Sequence, residues 1–205
     1  FISGASALVY QLALIRYISL IAGGTVLAIS TALIAYLGGI ALGSYLLGHR
    51  GDRARYSWRY YALLEVGVAT GVLLWIAAAP AWDLLANQLA APVMLCLIAT
   101  SLLPATLCLG GTLPVLARCL SNRSPGPLIR LVYTFNLMGA ALGCLLASWW
   151  MIPVAGTLVT IFIAAFMNLA VAGTSWWVSG RAPPSIHAFP GPTLPVQAPP
   201  PLEPF

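Results

Sequence analysis

The sequence predicts an all-α membrane protein, a bundle of six transmembrane helices followed by an extended, proline-rich C-terminal tail. Three observations lead to this fold class. Only 6% of the 205 residues are charged, 60% are hydrophobic, and the mean hydropathy is +0.94. Apolar stretches between the charged loops are long enough to cross a bilayer core about 30 Å thick, which takes roughly 20 helical residues. A soluble domain of this length would have too few charges to cover so much apolar surface.

Glycine, proline and charge divide the apolar sequence into six predicted spans. They cover residues 1–21, 25–47, 61–79, 92–116, 131–152 and 158–178. The first is interpreted as a true helix rather than a signal peptide, because neither a basic leader nor a cleavage site is evident. Pro153 is expected to end the fifth, since proline removes a helical hydrogen bond. The domain organisation is therefore a membrane domain, residues 1–178, and a tail, residues 179–205.

The arginines predict the orientation of the spans. Those in the loop after span two, in the loop after span four and after span six are Arg50, Arg53, Arg55, Arg59, Arg118, Arg123, Arg130 and Arg181. The opposite loops contain no arginine. Because basic loops stay in the cytoplasm, both termini are expected there. The net charge of +5 is thus explained by topology and contact with membrane lipids, and no nucleic-acid partner is predicted.

Small residues predict how the helices pack. Three pairs of glycines lie four residues apart: Gly39 and Gly43, Gly67 and Gly71, Gly139 and Gly143. Since lipid provides no hydrophobic force between helices, such pairs favour close backbone approach and a compact bundle. The pairs of spans two and five lie at similar depth, which hints at a three-plus-three repeat. The four cysteines lack paired spacing and are interpreted as packing residues, and no metal or cofactor is predicted.

Polar side chains are costly inside a bilayer, so each one in a predicted span is a candidate for function. Topology places four of them in one layer near the cytoplasmic surface, and these are Ser44, Glu65, Thr112 and Asn136. The Gly-Gly-Thr-Leu-Pro stretch at 110–114 is expected to loosen its helix and free carbonyl groups. Two roles stay open for this inner polar cluster: a site for a cation or small polar ligand, or a hydrogen-bonded staple between helices. No catalytic residue is predicted.

The tail has a composition unlike the rest of the chain, with nine prolines between residues 182 and 205. Such a segment forms extended polyproline-type structure and has no core of its own. Proline-rich segments dock on aromatic grooves, so the tail is expected to contact another subunit. Its candidate anchors are Phe189, Leu194, Leu202 and Phe205. A linker to a further domain is the alternative.

Several short motifs together resemble the membrane domain of spermidine synthase-like bacterial proteins. They are Ser3-Gly-Ala-Ser-Ala-Leu-Val-Tyr10, Arg16, Ala41-Leu-Gly-Ser44, Tyr61-Ala-Leu-Leu-Glu65, Gly111-Thr-Leu-Pro-Val-Leu-Ala-Arg118, and Asn136 with Gly139 and Gly143. The resemblance covers about residues 2–172. It implies a transporter-like membrane part, in a bacterial inner membrane, of the kind fused to an aminopropyltransferase-like domain.

The sequence departs from this family in two ways. Gln11 stands where the family usually has glutamate, which weakens a proton or cation role for the first span. No glycine-rich turn with an acidic residue about 20 positions later is present, and the chain has only four acidic residues. We therefore expect no aminopropyl transfer by this chain alone.

Three functions compete at this point. The first is a non-catalytic accessory or scaffold subunit of a larger membrane assembly, contacting other subunits through the tail and helix faces; the missing catalytic motifs and the proline-rich tail favour it over the other two. The second is the membrane anchor of a split aminopropyltransferase-like enzyme. The third is a transporter of a small polar or cationic, polyamine-like solute, for which Glu65 is the candidate anion.

Overall fold

A computed structural model describes residues 1–21, 26–54, 56–86, 88–121 and 125–181 of the chain. Within these ranges the secondary structure is helical and no β-strand occurs. The helices are α1 (Ile2–Ile21), α2 (Val26–Asp52), α3 (Ser57–Ala77), α4 (Ala79–Ala86), α5 (Ala91–Ser121), α6 (Pro125–Leu146), a π-helical segment (Ala147–Ala155) and α7 (Gly156–Ser179). The all-α prediction is confirmed for these residues. The four candidate anchors of the tail, Phe189, Leu194, Leu202 and Phe205, lie outside them.

Four stretches of the described helices are long and apolar enough to cross a membrane. They are Ile29–Gly51, Ser57–Ala77, Ala91–Leu120 and Pro127–Ser179, the last of which joins α6, the π-helical segment and α7. Their length and composition support the prediction of a membrane protein. The short α4 was not predicted; it lies where a loop was expected.

Three prolines lie inside helical structure rather than at its ends, and they are Pro104, Pro114 and Pro153. The prediction that Pro153 ends the fifth span is wrong, because helical structure continues through it as a π-helical segment as far as Ala155. The reversal comes at Gly156, whose φ of 83° is accessible mainly to glycine. Helix α5 likewise continues through Pro104 and Pro114. Pro114 does remove one hydrogen bond, so the carbonyl of Gly110, four residues earlier, has no helical donor.

Helices α2 and α5 run parallel and touch through glycine. A Cβ atom on Gly43 would overlap the backbone of Leu107, and one on Gly51 would meet the side chain of Val115. Residue numbers increase together in the two helices from the first contact to the second, so the helices run parallel. Helices α1 and α6 are related in the same way, since Gly139 lies against the backbone of Phe1 and Gly143 against that of Ala5. The glycine pairs predicted to mediate packing are confirmed at these contacts.

Helix α3 runs antiparallel to both α5 and α7. Gly67 faces Cys108 of α5, and one turn later Gly71 faces Ala105, one turn earlier on α5. At the other interface, Nε of Arg59 near the start of α3 donates to Oγ of Ser179 at the end of α7, at 3.2 Å. Thus α2, α5 and α7 share one direction, opposite to that of α3.

Helix α1 is antiparallel to α2 and therefore shares the direction of α3 and α6. The hydroxyl of Tyr36 donates to the carbonyl of Ala7 at 2.5 Å. Ser3, which precedes Ala7 in α1, lines the same cavity as Ser44, which follows Tyr36 in α2. These directions bring the described loop and terminal arginines to one end of the bundle, named here the basic end. They are Arg50, Arg53, Arg59, Arg118, Arg130 and Arg181.

The helices before and after α4 form two halves of opposite orientation with equivalent contacts. The first half is α1–α3 and the second is α5–α7. Gly110 lies against the backbone of Ile40, as Gly4 lies against that of Asn136. Two further contacts have a counterpart at the same shifts in residue number. The contact of Gly43 with Leu107 corresponds to that of Gly139 with Phe1. The contact of Gly111 with Leu47 corresponds to that of Gly143 with Ala5. This pattern indicates an approximate twofold axis between the halves, perpendicular to the helices.

Candidate functional site

A cavity of about 220 Å³ lies between α1, α2, α5 and α6, where the two halves meet; we call it the axial cavity. Most of its lining residues form pairs that the approximate twofold axis exchanges. These pairs are Ser3 with Leu109, Gly4 with Gly110, Ala7 with Leu113, Leu8 with Pro114, Ile40 with Asn136, and Ser44 with Ala140. The cavity therefore lies on the axis, which is where solute sites occur in membrane proteins built from inverted repeats.

Neutral oxygen and nitrogen atoms supply the polar part of the axial cavity. The side chains are those of Ser3, Ser44, Thr112 and Asn136. The Thr112 hydroxyl donates to the carbonyl of Leu109 at 2.7 Å, so its proton is used within α5 and its lone pairs are available to a ligand. Gly110 also lines the cavity, and its carbonyl is the one freed by Pro114. Helix α5 thus contributes acceptors, which suit a positively charged or hydrogen-bond-donating ligand.

Glu65 supplies a carboxyl group next to these walls. It lies in α3, four residues after Tyr61, so that both side chains share one helix face. Its exposed fraction is 0%, and neither carboxyl oxygen receives a hydrogen bond of ordinary geometry. Glu65 thus faces the interior of the bundle, away from lipid.

Hydroxyl groups surround the Glu65 carboxyl. Ser3 and Tyr61 face it from α1 and α3, and the phenol of Tyr10 interacts with it electrostatically. The Tyr10 hydroxyl is itself buried without a hydrogen-bond partner. Unsatisfied acceptors and a carboxyl in one apolar interior form an electrostatically demanding site, since such groups cost free energy unless they are paired.

A second cavity, of about 350 Å³, adjoins the first; we call it the side cavity. Its walls include Phe1, Ser3, Tyr61 and Asn136, and Ser3 and Asn136 line the axial cavity as well. Tyr61 and Ser3 therefore separate the Glu65 carboxyl from the side cavity.

The structure brings three of the four predicted cluster residues to one cavity. Ser44, Thr112 and Asn136 line the axial cavity, and Glu65 lies behind Ser3 rather than on the cavity wall. Sequence reasoning missed Ser3 and Tyr10 as members of the site. Tyr10 is fully buried on the first helix, and the cost of an intramembrane hydroxyl was a signal that could have identified it.

Asn168 is a second polar residue that the sequence analysis missed. It lies in α7 with an exposed fraction of 0%, and both atoms of its amide lack a hydrogen-bond partner. Its position in the middle of an apolar helix was the available signal. Asn168 is thus a second buried polar side chain without a hydrogen-bond partner in the bundle interior.

No protein-family model, curated protein or solved structure matches this chain. The resemblance to spermidine synthase-like membrane domains therefore stays a prediction. In the residues that the structure describes, no group of three His, Cys, Asp or Glu side chains converges as a metal site would require.

Proposed function

We propose that this chain is a membrane module that binds a small cationic solute, such as an alkylammonium or a polyamine, and conducts it across the bilayer. The observation that carries the proposal is the buried Glu65 carboxyl, which accepts no hydrogen bond of ordinary geometry and lies beside the hydroxyl groups of Tyr61 and of the cavity residue Ser3. A carboxyl group in such surroundings must carry a proton or be compensated by a cation. A cationic solute would provide that compensation when it binds.

The chemistry of the walls supports a cation rather than an anion. The axial cavity offers the lone pairs of Thr112, Ser44 and Asn136, together with the freed carbonyl of Gly110. Among the residues that the structure describes, no arginine lines either cavity, although this end of the bundle is rich in arginine. An ammonium group donates several hydrogen bonds and would satisfy these acceptors.

The arrangement of the halves supports movement of the solute. We infer that α1, α2, α3, α5, α6 and α7 each cross the bilayer and that the basic end faces the cytoplasm of a bacterial cell. Transporters built from inverted repeats hold their solute at the repeat interface and expose it alternately to each side. The axial cavity has that position, and Glu65 approaches it from α3, a helix of the first half.

Uptake of radiolabelled putrescine into proteoliposomes tests the proposal. Wild-type protein should take up putrescine, and 1,4-butanediol, which lacks the charge, should not compete. Glu65→Gln should reduce uptake by about tenfold or more, because a hydrogen bond to a charged group contributes about 1.5–3 kcal/mol. Asp83→Asn is the matched control: it also removes one carboxylate, but from α4. Equal uptake by wild-type protein and Glu65→Gln would overturn the proposal.

The accessory-subunit and split-enzyme functions remain predictions. The expected tail contacts involve residues 182–205, which lie outside the described residues. Purification in mild detergent, with identification of the chains that accompany the protein, would test both. A stoichiometric partner subunit would favour the first, and a soluble synthase-like chain would favour the second.

A further inference from the structure

The outer surface of the bundle carries a groove between α3 and α7, named here the lateral groove. It encloses about 320 Å³, and its walls include Leu63, Leu169 and Trp176. Its floor is made of small residues, Ala62, Ala172 and Gly173. A Cβ atom added to Gly173 would meet nothing within 4 Å, so the groove is open above that residue. Its shape and apolar walls suit a flexible hydrocarbon chain.

Arg59 lies at the basic end of this groove and is held by three contacts. Its Nε donates to Ser179 Oγ at 3.2 Å. Its guanidinium lies 4.9 Å from the ring centre of Tyr56 and 5.5 Å from that of Trp176. Since Trp176 is also a wall of the lateral groove, the charge lies where the groove ends. In the part of the chain that the structure describes, these contacts do not include a carboxylate.

A second guanidinium lies close by along the chain. Arg181, two residues after Ser179, stacks over the ring of Trp177 at 3.6 Å. Tryptophan favours the interface between lipid and water, and arginine there faces the phosphate groups of the lipids. The groove therefore combines an apolar channel with one exposed cation, Arg59, at its basic end, and Arg181 lies at the same end of the bundle.

We propose that the lateral groove binds an anionic phospholipid, with one acyl chain between α3 and α7 and the phosphate on Arg59. Charge complementarity decides this occupant. An apolar helix of another protein would fill the groove but would leave the guanidinium group of Arg59 without an anion. The inference is independent of the proposed solute transport, because the groove and the axial cavity share no residue.

Native mass spectrometry of the full chain tests this site. The protein is reconstituted in nanodiscs of phosphatidylcholine with a minor share of phosphatidylglycerol, and the lipids that survive gentle release are counted. Wild-type protein should retain phosphatidylglycerol in preference to phosphatidylcholine. Arg59→Gln should reduce this selectivity by about fivefold, since one arginine near a membrane surface contributes that order of attraction. Arg130→Gln, at the same end but on α6, should not change it.

A second variant separates the acyl chain from the headgroup. Gly173→Leu places a side chain in the groove and should abolish retention of the specific lipid. Gly38→Leu is its matched control, because a Cβ atom at Gly38 also meets nothing within 4 Å. Size-exclusion profiles verify folding of each variant. Equal retention of both lipids by wild-type protein, or a co-purifying protein chain displaced by Gly173→Leu, would overturn the proposal.

Discussion

Gly110 of α5 lies directly against the backbone of Ile40 in α2, with no room for a side chain between the helices. Gly4 and Asn136 repeat this contact between α1 and α6. Close backbone approach of this kind is how helices associate tightly in lipid. The two contacts border the axial cavity, so the same glycines that hold the halves together also determine its shape.

The first prediction concerns this contact. Gly110→Ala should lower the free energy of unfolding by about 1–3 kcal/mol, because overpacking forces the backbones of α2 and α5 apart. Gly38→Ala should raise it slightly, since the position is open and alanine favours helix. Thermal unfolding in detergent measures both. Equal stability of Gly110→Ala and wild-type protein would contradict the close contact.

The second prediction separates the two roles left open for the inner polar cluster. If Glu65 serves binding, Glu65→Gln should keep or raise the free energy of unfolding, because an unsatisfied carboxyl is replaced by a neutral amide. If Glu65 is a structural staple, the same variant should lower it by about 1–3 kcal/mol. We expect the first result in thermal unfolding without solute. A loss of that size would favour the staple.

The third prediction concerns the amide in α7. Asn168→Leu should raise the free energy of unfolding by about 1–2 kcal/mol, since both polar atoms of Asn168 are buried without partners. Thr160→Val is the control, because Thr160 is equally buried but its hydroxyl donates to the carbonyl of Gly156 at 2.8 Å. A destabilised Asn168→Leu variant would show that this amide has a partner in the membrane.

The fourth prediction concerns topology. Single cysteines replacing Arg53 and Arg130, in variants without the native cysteines, should react with a membrane-impermeant maleimide from the cytoplasmic side. A cysteine replacing Gln88, between α4 and α5, should react from the opposite side. Labelling of intact cells and of inverted vesicles gives the comparison. Reaction of positions 53 and 130 from different sides would exclude the arrangement of helix directions described above.

Much of the helical architecture could be predicted, because it depends on local properties of the chain. Apolar length gave the positions of the long helices, and the spacing of Gly139 and Gly143 indicated a contact surface that the structure places against α1. Charge in the loops indicated which helix ends share a side. Depth along the spans then placed Ser44, Thr112 and Asn136 in one layer, and these side chains line one cavity.

The remainder depends on which helix lies beside which, and helical periodicity does not contain that information. It could not show that α2 packs on α5, nor that Ser3 lies between Glu65 and the axial cavity. The π-helical segment through Pro153 was missed for a related reason. Proline removes a single hydrogen bond, and packing around it determines whether helical structure continues.

Reaction of Glu65 with dicyclohexylcarbodiimide, an apolar reagent for buried carboxyl groups, would show whether this carboxyl binds a cation. Peptide mass spectrometry would follow the modification of Glu65 in the purified protein, with and without putrescine. We expect Glu65 to be modified and putrescine to slow the reaction, whereas 1,4-butanediol should not slow it. Modification at the same rate with saturating putrescine would contradict the claim that this carboxyl is the anion of a cation site.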